Sequence, residues 1–375
     1  MICSVIVPIY KGNKYIENIV DMVQKWVVAD DIRLEIIFVN DSPEQPIILP
    51  QWKNQSMVSI SVLDNQRNMG IHYSRIVGAQ YATGEYIVFL DQDDTLNENY
   101  LKSQLQHIEE EDAVICNGLY RNGETIFSLS NPMKNENSFE EYLDHGYPLV
   151  SLGQLLIKRK SIPPDWLNHV MMHNGWDDHF LWATMMANNI TVNINDDILY
   201  THEEDGNNTS FIWKQMSRSG QNFKDIFMKL NFMNDIQEKK FRFMTDSKIS
   251  KYEDYHELEI LLSGISSNQF KEYFHLKDIR DIAIYGFGVY GKQLYEILID
   301  SGFKVAYCID KRSDVKNVDI SVVSLHKNMQ KVDAIVVSPV NSFHEIKREI
   351  EKYCSFEVLS LLDILKEINS TGLSE

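Results

Sequence analysis

No stretch of this 375-residue chain approaches the roughly 18 to 20 consecutive apolar residues that span a bilayer. A transmembrane segment is therefore not expected, and work at the inner face of a membrane would require recruitment to it. Cysteine is scarce. Cys3, Cys116, Cys308 and Cys354 are the four, none forms a CxxC pair, and three fall in runs that read as strands. That argues against a disulfide framework and for buried, reduced thiols in a cytoplasmic protein. Positive charge is short as well: 36 Lys and Arg stand against 54 Asp and Glu, a formal net charge of −18. Nucleic acid is a poor partner for such a balance, and an anionic membrane gains no general attraction, although a local basic groove for a nucleotide stays open. No export signal is expected, because the chain starts directly on a strand, "ICSVIVPIY". Internal repeats and low-complexity segments are also lacking. What is present is core material, with 44% hydrophobic and 11% aromatic residues. The length favours two domains.

The first third alternates strand and helix. "SVIVPIY", "RLEIIFVNDS", "MVSISVLDN" and "GEYIVFLDQDD" read as strands, and "NKYIENIVDMVQKWV" and "GIHYSRIVGAQYAT" as helices. Such alternation predicts a parallel sheet with helices on its faces and ligands at the carboxyl ends of the strands. Between 97 and 210 the pattern is mixed. It predicts a helix at "NENYLKSQLQHIEE", a hairpin across Asn122-Gly123, a capping box from Ser138 to Glu141, a helix at "GWDDHFLWATMMANN" and two short strands in "ITVNINDDILYTH". From 211 to 276, Phe223, Ile226, Phe227 and Leu230, then Leu258, Leu261, Leu262 and Ile265, recur at helical spacing and predict a helical connector. A second α/β unit begins near 277.

Acidic residues collect at the strand ends. Asp91 and Asp93, with Gln92 between them, form a D-x-D in which alternate side chains point the same way. Two hard oxygen ligands suit Mn²⁺ or Mg²⁺, which takes one or two carboxylates plus substrate phosphate oxygens. The plain alternative is turn and capping chemistry ahead of "NENYL". Asp41 ends another strand, Tyr10 is available to stack on a base, and Arg67 and Arg75 precede the cluster, where a guanidinium suits a diphosphate. A second acidic pair, Asp177 and Asp178, opens the later helix. It reads either as an N-cap or as a general base, whose pKa a helix N-terminus would lower.

Taken together, "SVIVPIYKGNKYI", "IIFVNDSP", "NMGIHYSRIVGAQYATGEYIVFLDQDD" and "GWDDHFLW" resemble the family 2 glycosyltransferases of the GT-A fold over about residues 1–210. The resemblance implies inverting transfer of a sugar from a nucleotide sugar, usually a UDP-sugar, to a glycan, glycolipid or glycoprotein hydroxyl. It also implies that Asp41 contacts the base with Pro8 and Tyr10 shaping its pocket, that Asp91 lies by the ribose, and that Asp93 binds the metal with the diphosphate. The base falls on Asp178, with Asp177 where relatives more often carry Glu. By the same resemblance, His202 would approach the metal or diphosphate within a run that includes Tyr200, Asn207 and Ser210; a lone histidine is otherwise more often structural or exposed. Relatives usually carry Asn after the arginine that matches Arg75, whereas this chain has Ile76, so the donor geometry departs there. Trp176 is a reasonable acceptor contact, with core packing as its equal alternative.

The unit from 277 carries Gly286, Gly288 and Gly291 as G-x-G-x-x-G, with Asp310 ending the next strand. Glycines at that spacing let a pyrophosphate approach a helix N-terminus, and the acid could meet a ribose, so NAD or another nucleotide is one reading. A structural or assembly role is the other. The expected architecture is α/β: a GT-A domain (1–210), a helical connector (211–276) and a small Rossmann-like domain (277–375). A nucleotidyltransferase, or a nucleotide sensor built on the second domain, remains the competing function.

Overall fold

The computed structural model describes residues 1–26, 32–53, 56–121, 123–128, 138–203, 212–310, 320–326 and 329–371. Two compact units form, Met1–Ile249 and Ser250–Glu375. The residues expected as a connector are shared between them. The helix α7 (Trp213–Lys229) lies in the first unit, and the 30-residue α8 (Asp235–Gly264) runs from the first into the second.

The first unit is built on one eight-stranded sheet. Its strands are β1 (Ile2–Ile9), β2 (Arg33–Asn40), β3 (Val58–Asp64), β4 (Tyr86–Phe89), β5 (Thr95–Leu96), β6 (Ala113–Tyr120), β7 (Leu155–Lys158) and β8 (Val192–His202). They lie in the order β3-β2-β1-β4-β7-β6-β8-β5. The first four are mutually parallel, and β7 runs antiparallel to both β4 and β6. Parallel strands are covered on both faces, which is why β1 and β2 are near-continuous apolar runs rather than alternating ones. One face is covered by α1 (Asn13–Val23), whose Ile16, Ile19, Val20 and Val23 pack with Trp26 and Tyr100. The others are α2 (Ile71–Tyr81), α3 (Tyr100–His107), α4 (Phe139–His145), α5 (Pro164–Asn168) and α6 (Asp177–Ala187).

One expectation changes here, and one strand is added. "ITVNINDDILYTH" is one strand, β8, with a local register shift against β6. Asn195 carries the chain through its acidic middle: its Oδ1 accepts from Asp197 N at 3.0 Å, and its Nδ2 donates to Ser103 Oγ and Gln104 Oε1. β5, which had no periodicity to announce it, pairs antiparallel with β8. Asn122 of the expected hairpin lies outside the described residues, as do Asn207 and Ser210.

The second unit has a parallel sheet of β9 (Asp281–Tyr285), β10 (Lys304–Ile309), β11 (Val322–Val323), β12 (Ala334–Val337) and β13 (Glu357–Ser360). The order β11-β10-β9-β12-β13 is the Rossmann order without its sixth strand. The helices α9 (Ser267–Leu276), α10 (Val289–Asp300), α11 (Phe343–Ile350) and α12 (Leu361–Thr371) complete it. Leu258 and Leu262 of α8 pack into this core with Phe270, Phe274, Leu294 and Leu298. A Cβ on Gly291 would stand 1.9 Å from the Gly286 carbonyl oxygen, so close packing of helix on turn already requires glycine there. Among the described residues no helix is long and apolar enough to cross a membrane.

Candidate functional site

The carboxyl ends of β1, β2, β4 and β8 all reach one edge of the first sheet, and the strand order reverses beside β1, where β2 lies on one side and β4 on the other. Open α/β sheets bind ligands at such a point. Pro8 is the penultimate residue of β1, buried and paired with Val39, and Tyr10 follows with 45% of its surface exposed. Gln92 brackets this loop: Tyr10 N donates to Gln92 Oε1 at 3.0 Å, and Gln92 Nε2 donates to the Tyr10 carbonyl at 3.4 Å. Asp41, at the end of β2, is buried. Its Oδ1 accepts from Asn65 Nδ2 (2.8 Å) and Met69 N (2.6 Å), and its Oδ2 from Gly70 N (2.9 Å). That carboxylate ties the strand to the loop that leads into α2. Arg67, on the same loop, is exposed.

Arg75 is not at the surface. It projects from α2 with 3% of its side chain exposed, and its two terminal nitrogens bind Asp91 Oδ1 and Asp177 Oδ2. The expected open contact with a diphosphate is replaced by an internal bridge. Burial alone would lower its pKa, but Asp177, Asp91 and Asp178 outweigh that and hold the guanidinium charged. Ser151 Oγ donates to the other oxygen of Asp91 at 3.1 Å, a contact no spacing in the sequence announced. Ile76, next to this arginine, is core.

Asp177 and Asp178 open α6 and divide its work. Asp177 is buried on Arg75, and its carbonyl accepts from Trp166 Nε1 at 3.0 Å. Asp178 is half-buried, and its Oδ1 accepts from His179 N at 2.6 Å. Its pKa is pushed up to about 7, first by burial, then by Asp177 and more weakly by Asp91; Arg75 and the His179 amide pull the other way. The helix N-terminus was expected to depress it. Desolvation and two like charges prevail over that dipole, so the group is poised near neutrality.

Trp176, expected at the acceptor, is core packing: it is 2% exposed, lies 4.8 Å from the His179 ring in a stack, and contacts Phe223 of α7. Phenylalanines of α7 and α8 thus back the acidic helix, with Phe223, Phe227 and Phe241 buried together.

Asp94 is the buried acid of its cluster. It accepts from Tyr200 Oη at 2.6 Å, meets His202 Nδ1 at 3.2 Å and accepts from Glu203 N at 3.2 Å. Burial raises its pKa, and the bonds from His202 and Tyr200 oppose the rise. A histidine oriented by a carboxylate on one ring nitrogen is the arrangement that metal-ligating imidazoles use. Among the described residues no three His, Cys, Asp or Glu side chains converge to hold an ion by themselves. Asp93, partly exposed on the loop after β4, and His202, at the end of β8, have the donor chemistry to share one with an incoming diphosphate.

In the second unit, Phe287 N donates to Asp310 Oδ2 at 2.7 Å, and Ser338 Oγ donates to the Gly286 carbonyl at 2.7 Å. Gly288 caps α10 with open space around it. The acid expected to meet a ribose thus binds an amide of the glycine turn itself.

The description "Glycosyl transferase family 2" matches residues 4–161. A 121-residue stretch is 31% identical to the glycosyltransferase GlyG of Streptococcus pneumoniae, over 32% of this chain and 39% of that protein. A 109-residue stretch is 31% identical to the poly(ribitol-phosphate) beta-N-acetylglucosaminyltransferase TarS of Staphylococcus aureus, over 28% of this chain and 19% of that protein. The chain therefore spans well under half the length of these curated relatives. A crystal structure of S. aureus TarS overlaps 70% of this chain and 80% of its own at 14% identity, with a TM-score of 0.46. The matched stretch carries Asp41, Arg75, Asp91 and Asp93 on the α/β sheet of the first unit, and over those residues the chain is similar to glycosyl transferase family 2.

Proposed function

We propose that the chain is a metal-dependent, inverting glycosyltransferase that moves a sugar from a nucleotide sugar, most simply a UDP-sugar, to a hydroxyl of a glycan or related acceptor. The observation that carries this reading is Asp178: a half-buried carboxyl at the start of a helix, pushed up to about 7, beside the arginine-locked Asp91. Inversion needs a base on the face opposite the leaving group. Asp178 takes the proton of the acceptor hydroxyl while the new C–O bond forms at the anomeric carbon and the bond to the diphosphate oxygen breaks. The electron pair of that bond leaves with the nucleoside diphosphate.

Asp91, fixed by Arg75 and Ser151, is the ribose neighbour, and Tyr10 presents an exposed ring to the base. Asp41 acts on the base pocket through the loop it fixes. Asp93 and His202 are the side chains that would hold Mn²⁺ or Mg²⁺, and the ion would neutralise the leaving diphosphate. The acidic excess of this edge, with Arg75 as the cation buried within it, is chemistry that a divalent cation complements. The name of the staphylococcal relative, a sugar transfer onto a polyol phosphate polymer, supports an acceptor with a hydroxyl nucleophile.

Asp178→Asn should keep UDP-sugar binding within twofold, by calorimetry with Mn²⁺, and lower turnover by about 10³-fold, within the usual range for a lost general base. Asp93→Ala should lose the metal dependence of donor binding. Full turnover by Asp178→Asn would sink the base assignment.

A further inference from the structure

One buried polar group beside this site has no work assigned to it. Tyr147 follows Gly146 just beyond α4, and its hydroxyl is shut off from solvent without a hydrogen-bond partner. Such a donor costs free energy unless something completes it. Its ring is firmly held. It stacks on His179 at 5.4 Å and 17°, and meets Trp182 edge-on at 6.4 Å. His179 is itself fixed from three sides: Tyr142 Oη lies 2.8 Å from its Nε2, Trp176 stacks at 4.8 Å and Phe223 at 4.9 Å. Burial keeps that imidazole neutral, well below its ordinary pKa. Gly146, at φ +82°, sets the entry of the segment, since a residue with a side chain rarely adopts that backbone.

The charged group bearing most on the Tyr147 hydroxyl is Asp178, which together with burial drives the phenol above its usual range; Arg75 opposes and Asp177 adds. The phenol ring lies on His179, whose amide holds Asp178 Oδ1, so phenol and carboxylate are neighbours without a well-formed hydrogen bond between them. The groups facing Asp178 are Asp177 and His179 of its own helix, Arg75 of α2, Asp91 of the loop after β4, and Tyr147. Of these, Arg75 is committed to Asp91 and Asp177. Among the described residues that bear on Asp178, Tyr147 is the side-chain donor left without a partner.

We infer that Tyr147 is a positioning residue for the base: in the substrate-loaded enzyme its hydroxyl donates to Asp178, so that the carboxylate is held by the His179 amide on one side and the phenol on the other, with a lone pair directed at the acceptor hydroxyl. The inference rests on the assignment of Asp178 as base. A hydrogen bond to the ionised form favours that form, so the phenol also draws the carboxyl back toward ionisation when the site is occupied.

The test compares wild type, Tyr147→Phe, Asp178→Asn and the double variant, with a UDP-sugar and Mn²⁺. Tyr147→Phe should lower kcat about tenfold, leave donor Kd within twofold, move the acid limb of the kcat profile to higher pH by about half a unit, and leave the melting temperature undiminished. It should have no effect in the Asp178→Asn background. Replacing Tyr147 by 3-fluorotyrosine, a stronger donor of the same shape, should move the limb the other way, and it keeps the question answerable if the phenylalanine variant folds poorly. An unchanged kcat and pH profile in both variants, with Asp178→Asn inactive, overturns the role of Tyr147 alone. An active Asp178→Asn overturns the base assignment beneath it.

Discussion

Both units of this protein carry aspartates at strand ends or helix starts, and those aspartates meet opposite fates. In the second unit, Asp310 accepts the amide of Phe287, and the glycine turn is closed further by Ser338. In the first, Asp91 and Asp177 share one buried guanidinium, and Asp178 is left with a single backbone amide and a pKa near 7. An acid satisfied by the main chain is architecture. An acid crowded by other acids, with too little positive charge among them, is a site waiting for a cation or a proton. The sequence position of an acid at a strand end or helix start does not separate the two; the partners do.

The contrast can be broken most severely at Arg75. Arg75→Met strands two carboxylates that shared it, and removing one partner of a buried pair costs about 3–5 kcal/mol. Urea denaturation should register that loss in the first unit, and a loss under about 1 kcal/mol would show that the bridge is not what holds these acids.

A smaller effect sharpens the role of Asp178. Its carboxyl is raised in the folded state, so the folded chain holds a proton there that the unfolded chain has already released. Stability contributed by that group therefore falls as pH rises from about 4 to about 7, and the cost is complete above 7. Asp178→Asn should be more stable than wild type at pH 8, by on the order of 2 kcal/mol, and indistinguishable at pH 4. An equal gain at both pH values would point to packing instead.

The smallest effect is expected at Asp310. Asp310→Ala removes one charge-assisted bond to a backbone amide and should cost about 1–2 kcal/mol in the second unit, with sugar transfer unchanged. A transfer rate that fell with it would tie the second sheet to catalysis.

The alternation of strand and helix was readable because parallel strands must be apolar throughout and their helices amphipathic, which is what "SVIVPIY" and "NKYIENIVDMVQKWV" show. The convergence of Asp41, Asp91 and Tyr10 followed from topology, since parallel strands deliver their ends to one edge. The fate of each side chain was not readable. Trp176 and Arg75 look like surface ligands in a linear string, and only the packing of α7 and the pairing of Asp91 with Asp177 reveal that both are interior. Tyr147 carried no motif and lies 31 positions before Asp178 in the chain. Ser151 was equally silent, being one serine in a polar loop. The direction of the Asp178 shift depended on a balance between a helix dipole and burial, and sequence supplies only the first of these.

The doubly engaged guanidinium also bears on how such a protein can vary or be redesigned. Because Arg75 serves Asp91 and Asp177 at once, neither acid can be exchanged without unbalancing the other, and lysine cannot imitate a fork that grips two partners. The three positions are therefore expected to tolerate change only together. A library that randomises them one at a time would record three intolerant sites and miss the replacements that work only as a set.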